Sequence, residues 1–204
     1  MGAHLDHGPR TLACSDCRCA QDAGPIIAQE AVSVSPDAQH VPLLTDLFAL
    51  GTRLLLRHMP AILDGSARAA ARAQDESGVI HAPKIDAEEG LLSFNCTAKR
   101  LHDTVRAFQG WPGTRTTLFV EGGEPGGITV KVLASRVGAP AGSSGDVHLV
   151  RVSKDALHIT CDDGSVLDVL QLQVPGGKPM SAAAYVAGLR GKQLRRAAAT
   201  QTMA

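Results

Sequence analysis

The chain has 204 residues, enough for one ordinary domain with additions or for two small ones. Its 44% hydrophobic and 20% charged content is globular rather than disordered, and 20 basic residues cancel 20 acidic ones, so no net charge points to nucleic acid or a membrane surface. Aromatics at 3% argue against a broad stacking platform for single-stranded RNA, and five cysteines, three of them near the start, do not form a secreted disulfide framework.

The neutral total hides an asymmetry. Residues 1–83 carry six Arg, no Lys and nine acidic residues, a net of −3, whereas residues 84–204 carry 14 basic and 11 acidic residues, a net of +3. The join falls near Ala82-Pro83-Lys84, where Pro83 disfavours helix at Ala82.

The first sixteen residues, MGAHLDHGPRTLACSD, show no periodicity, no secretory core and too many acids for a mitochondrial presequence. Pro25-Ile26-Ile27-Ala28 opens a strand in which Val32 and Val34 alternate with Ser33 and Ser35. Leu44, Leu47, Phe48, Leu54, Leu55, Met59, Ile62 and Leu63 then recur at helical spacing, which predicts a long amphipathic helix with one apolar stripe, bent near Gly51 or Pro60. Asp46, Arg53 and Arg57 interrupt that stretch and exclude a membrane span of about 20 apolar residues. The Ala/Arg-rich run from Ser66 to Gly78 continues as helix or crosses the surface as linker.

Thr97 is placed to cap a helix from about Ala98 to Phe108, with Leu101, Val105 and Phe108 on one face and Lys99, Arg100 and Arg106 on the other. Pro112 ends that helix. Five strands are expected after it, over 116–120, 128–137, 147–152, 157–161 and 166–173. Asp163-Gly164 between the last two is a strong hairpin signal, because both residues tolerate positive φ. Five short strands after one helix suggest a small barrel of OB type, and Ser181 caps a last helix.

Two segments resemble methionyl-tRNA formyltransferase. LLSFNCTAKRLHDTVRAFQGWPGT, residues 91–114, is similar to that family's entry to its C-terminal domain, with Phe94 where Trp is frequent and Gly110 where Pro is frequent. LQLQVPGGKPMSAAAYVAGLRG, residues 170–191, is similar to its ending, and DAGPIIAQEAV (22–32) and HAPKIDAEEG (81–90) also correspond. The resemblance covers roughly residues 20 to 195 and is nearest to plant and algal organellar forms.

What the resemblance implies is an α+β chain: a partial Rossmann-type remnant, one strand plus a long helix, followed by a small OB-like β-barrel with flanking helices. The corresponding boundaries are an irregular leader over 1–19, the remnant over 20–65, a linker over 66–83, the C-terminal domain over 84–196 and a tail over 197–204. The implied activity is formyl transfer from 10-formyltetrahydrofolate to initiator methionyl-tRNA, in a mitochondrion or plastid, by a monomer when complete, with no DNA or membrane partner. Asp22 matches the family's catalytic aspartate; its Asn and His partners match nothing here. Because donors aimed at the developing oxyanion are a major catalytic term, Asp22 alone implies a truncated, inactive chain that binds no folate. A catalytically dead tRNA-binding fragment is the alternative, and a formyl-folate hydrolase or dehydrogenase relative a third.

Lys84, Lys99, Arg100, Arg106, Arg115 and Lys178 cluster about the linker and the helices, and since the resemblance implies that the linker and C-terminal domain help hold initiator tRNA, they are the expected tRNA-binding residues; Lys178 matches the family's motif residue by residue. Arg190, Lys192, Arg195 and Arg196 also flank the helices, but the tail at Arg195-Arg196 lies outside the family's motif. Cys14, Cys17 and Cys19 with His4 and His7 carry metal-ligand chemistry, yet no second Cys pair follows and no metal site is assigned. Cys96 and Cys161 read as small buried hydrophobes and His102 as a surface residue. Glu88-Glu89 reads as a solvated charge run, the glycines at 122–127 as a hairpin loop, and Trp111 with Phe108 as a plug between helix and barrel.

Overall fold

The computed structural model describes residues 10–15, 24–75, 77, 82–140 and 146–197. The chain divides into two compact units, 1–83 and 84–204, each described by itself.

In the first unit, β1 (Arg10–Ser15) pairs antiparallel with β2 (Ile26–Val32), Arg10 lying opposite Val32. The leader, expected to be irregular, thus supplies a strand to the ribbon. Helix α1 (His40–Leu63) packs on this ribbon and contains Pro60. Of its eight-residue apolar stripe only Leu54 is buried; Leu44, Phe48, Leu55 and Leu63 face solvent, because two strands are too narrow to cover a stripe that wide. The segment from 66 starts as helix, one of the two courses its sequence leaves open. It forms α2 (Ser66–Ala70), with Ala67 buried, and then returns to β2, where Ile26 N–H donates to the Arg72 carbonyl at 2.7 Å and Arg72 N–H to the Ile26 carbonyl at 3.0 Å.

The second unit opens with a short 3-10 turn over Ala87–Gly90. The charge run at its start has a structural use: Asp86 accepts from Glu88 N–H at 2.9 Å while Glu89 accepts from Asp86 N–H at 2.7 Å, a reciprocal cap. Gly90 must be glycine, since a Cβ there would lie 2.2 Å from the Gly113 carbonyl oxygen. Helix α3 (Ala98–Ala107) is capped by Thr97 as the sequence indicates, with Arg100 N–H donating to its hydroxyl at 3.2 Å.

The strands that follow are β3 (Thr114–Val120), β4 (Ile128–Val137), β5 (Leu149–Val152), β6 (Leu157–Thr160), β7 (Val166–Gln173), β8 (Met180–Ser181) and, after helix α4 (Ala182–Leu189), β9 (Leu194–Arg196). The order β4-β3-β9-β5-β6-β7 closes by a β4–β7 pairing into a six-stranded antiparallel barrel, and β8 pairs with β7 at Gln171 and Leu172, beyond the β6 pairing. Five strands were legible in sequence; the sixth, β9, completes the closure. Register shifts in β4 at Val132–Ala134 and Ala134–Ser135 bend the longest strand against β7, as a closing sheet requires. Leu118, Val130, Leu157, Ile159, Leu167 and Leu194 fill the core, and Leu101 and Val105 of α3 join it. Among the described residues no helix is long and apolar enough to cross a membrane.

Candidate nucleic-acid interface

Helix α3 buries Ala98, Leu101 and Val105, which leaves Lys99 and Arg100 exposed and Arg106 half-buried. Two of these three cations are engaged locally. Asp103 is buried and accepts from Lys99 Nζ at 2.9 Å and from Arg106 Nη2 at 2.5 Å. Burial pushes the Asp103 carboxyl up, but the bonds from Arg106 and Lys99 outweigh it and hold the group below its ordinary range. Arg100 is exposed and makes no ion pair among the described residues.

A second set of cations lies on the outer face of the β3–β4 ribbon. Thr114, Thr116 and Leu118 point inward, so Arg115 and Thr117 alternate outward. Register places Arg115 opposite Lys131, and Thr117 opposite Thr129 with their hydroxyls 3.2 Å apart. Like charges directly opposite repel. Glu88 relieves the clash by accepting from Arg115 Nη2 at 2.8 Å, while Arg115 Nη1 donates to the Ala87 carbonyl at 2.8 Å. Lys131 makes no ion pair among the described residues and lies opposite Gln173 of β7. Gln173 Nε2 in turn donates to the Gly177 carbonyl at 2.7 Å, which steadies the turn carrying exposed Lys178. Lys84 is exposed just before the capped turn.

The six expected residues therefore stand in two different settings. Lys99, Arg106 and Arg115 are held in ion pairs, whereas Lys84, Arg100 and Lys178 make no ion pair among the described residues. Lys131 is not among the six, although the alternation of Thr129 and Lys131 with Val130 and Val132 marks its outward position. Unpaired cations beside hydroxyls on a sheet face suit a phosphate backbone, which they hold without reading bases.

Other expectations change. His102 is buried rather than exposed: α3 packs on β4, and Nδ1 lies 3.0 Å from Ser135 Oγ. Trp111 is no plug. It stands 68% exposed on the turn before β3, while Phe94 fills the space beneath α3. Arg196 is not a surface cation but a core residue, and Arg195 pairs with Asp146. Cys161 is buried as expected, and burial pushes its thiol up to about 11. Asp22, Cys17, Cys19, His4 and His7 lie outside the described residues, and of Cys14 only the strand position in β1 is described.

Residues 84–190, more than half of the chain, match the formyl transferase C-terminal domain family, and the chain belongs to that family. Its relatives include methionyl-tRNA formyltransferases. The chain is 30% identical over 167 residues to that of Trichlorobacter lovleyi, covering 82% of this chain and 49% of the relative. It is 32% identical over 167 residues to that of Myxococcus xanthus, covering 82% and 50%. The chain thus spans about half the length of the curated relatives it matches. Among solved structures, an N-formyltransferase from Helicobacter canadensis, in complex with folinic acid and dTDP-3-aminofucose, shares the fold at TM-score 0.54 and 16% identity, over 78% of this chain and 54% of that one.

Proposed function

We propose that this chain serves the formylation of initiator methionyl-tRNA by 10-formyltetrahydrofolate, and that its second unit holds the tRNA. The observation that carries this reading is the coincidence of the family match with the barrel unit, on whose surface Arg100, Lys131 and Lys178 make no ion pair among the described residues. The names of the relatives support the choice of substrate.

The formyl step needs more than these 204 residues. On the family resemblance Asp22 is the catalytic aspartate, and it works beside an Asn-x-His pair that polarises the formyl oxygen. The single asparagine here is Asn95, followed by Cys96 and Thr97. The 204-residue polypeptide alone binds tRNA and transfers no formyl group. Binding is read from the fluorescence of Trp111, the only tryptophan and an exposed one. Titration with initiator tRNA should quench or shift its emission at low salt, while methionyl-tRNA and 10-formyltetrahydrofolate give no formyl-methionine above background. Turnover lost in Asp22→Ala would overturn the inactivity; an absence of any tRNA binding would overturn the assignment of the barrel unit.

A further inference from the structure

Between the β3–β4 hairpin and α4, the second unit has a cavity of about 1040 Å³. Val120 and Ile128 from the ribbon, Met180 from β8 and Leu189 from α4 give it apolar walls. Pockets of this kind, apolar with a few convergent polar groups, are the usual form of a ligand site.

One residue of this cavity is not explained by folding. Tyr185 lines it, is buried, and has a hydroxyl with no hydrogen-bond partner among the described residues. A buried hydroxyl left unpaired is destabilising, so a partner supplied by a ligand accounts for it best. Burial also raises the phenol, which keeps the hydroxyl protonated and able to donate. Arg190 ends α4 at φ 52°, the one non-glycine residue with positive φ among those described. That left-handed residue ends the helix, and Lys192 N–H donates to the Leu189 carbonyl at 3.1 Å to close the turn. Arg190 and Lys192 both line the cavity, are exposed, and make no ion pair among the described residues.

We propose that this cavity receives an unpaired nucleotide of a bound RNA, with its base between the apolar walls and the Tyr185 hydroxyl and its phosphate on Arg190 and Lys192. The proposal rests on the reading that this unit holds tRNA. A lipid chain would leave the hydroxyl unpaired, and an acidic peptide would meet Glu124, which also lines the cavity. A nucleobase meets neither difficulty. Its edge offers donors and acceptors to Tyr185, and an exocyclic amine suits the Glu124 carboxylate. Its π-face packs on apolar walls whatever the sequence, as in other single-strand sites.

Gly188 makes a clean test. It lies in α4 on the cavity wall, and a Cβ added there meets nothing within 4 Å. Gly188→Leu therefore fills open space, and leucine favours helix over glycine, so the variant folds. The 204-residue chain is titrated by fluorescence anisotropy with a labelled mixed-sequence single-stranded pentaribonucleotide, with a labelled RNA duplex and with initiator tRNA. AMP is titrated separately by calorimetry. Gly188→Leu should weaken the pentanucleotide about tenfold and Tyr185→Phe about threefold, while duplex affinity stays unchanged in both. Pentanucleotide and tRNA affinities that ignore Gly188→Leu would overturn the cavity proposal and leave the tRNA reading standing. Binding of AMP blocked by Gly188→Leu, without any binding of pentanucleotide or tRNA, would make the source a free nucleotide and overturn both the RNA occupant and the tRNA reading. An absence of binding by all four probes overturns both as well.

Discussion

The guanidinium of Arg196, in the last strand of the barrel, donates from Nη2 to the Asp162 carboxylate in the β6–β7 turn at 2.5 Å. It also bonds the Val147 and Ala197 carbonyls, at 3.2 Å each, and sits 5.2 Å over the Phe94 ring. The arginine side chain is wholly buried, whereas Asp162 is 42% exposed. One interaction thus fastens a three-residue strand to an element it does not pair with, and Phe94 carries the fastening into the core beneath α3. The asymmetry in burial decides which partner is the worse to lose. Removing the carboxylate strands a buried charge, so Asp162→Ala should cost about 3 kcal/mol. Arg196→Met removes the charge itself and keeps apolar volume over Phe94, so it should cost roughly half that. Urea unfolding of the two variants checks the order; a larger loss for Arg196→Met would mean that packing, not the ion pair, holds β9.

Why β9 escaped the sequence while the Asp163-Gly164 hairpin did not is a matter of where the information lies. The hairpin is local: Gly164 takes φ 86°, and Asp163 accepts from Ser165 N–H at 3.0 Å, all within three residues. Strand β9 has one apolar residue, Leu194, between a lysine-bearing turn and two arginines, and its identity comes from pairing with β3 and β5, far away in sequence. Helix α3 was legible because its cap and stripe are local too. Lys99 and Arg106 were legible as cations but not as bound ones, because nothing in the pattern marks Asp103 as buried between them. Trp111 misled for the opposite reason: a large apolar residue is usually core, and only the turn geometry turns it outward.

The same distinction between free and held cations sorts the residues by their effect on RNA. Each phosphate deprived of its cation should lower the salt-dependence slope of tRNA binding by about one. The triple variant Arg100→Ala, Lys131→Ala, Lys178→Ala should therefore flatten the slope by about two to three. Lys99→Ala should leave it nearly unchanged, since that ammonium already bonds Asp103 at 2.9 Å. Binding isotherms across a salt series read both numbers. A loss from Lys99→Ala as large as that from the triple variant would mean that the bond to Asp103 does not withhold Lys99 from the RNA.

Asp103 should also give the barrel unit an acid limb. Its folded pKa lies below the ordinary 3.8 because the Arg106 and Lys99 bonds outweigh burial. The unfolded chain therefore takes up the proton first as pH falls. The stabilisation is complete above 3.8 and is lost as pH drops below that value toward the folded pKa. Asp103→Asn should cost about 1.5–3 kcal/mol at neutral pH, the worth of bonds to a charged group. The gap between wild type and variant should then close in acid. A gap in unfolding free energy that stays constant down to strongly acidic pH would show that Asp103 acts by shape and not by charge.

Stability should be divided as unevenly as the core. Of the 22 buried hydrophobic residues among those described, two, Leu54 and Ala67, belong to the first unit, and the other twenty lie between Leu92 and Leu194. Full burial of a large apolar side chain contributes about 1.5–3 kcal/mol. Helix α1 forgoes that at Val41, Leu44, Phe48, Leu56 and Leu63, all of them exposed. The second unit, in contrast, closes its sheet and caps both helices, α3 with Thr97 and α4 with Ser181, whose hydroxyl accepts from Ala184 N–H at 3.2 Å. In the 204-residue polypeptide, limited proteolysis should therefore remove residues up to about Pro83 and leave the barrel unit intact. The uncleaved chain should self-associate through α1, and Phe48→Ser with Leu56→Ser should reduce that association without changing the barrel's unfolding midpoint. Amide exchange on the soluble monomer supplies the decisive comparison. Protection across α1 equal to that of β7 would mean that the first unit holds together on its two strands alone, and that stability is shared evenly between the units after all.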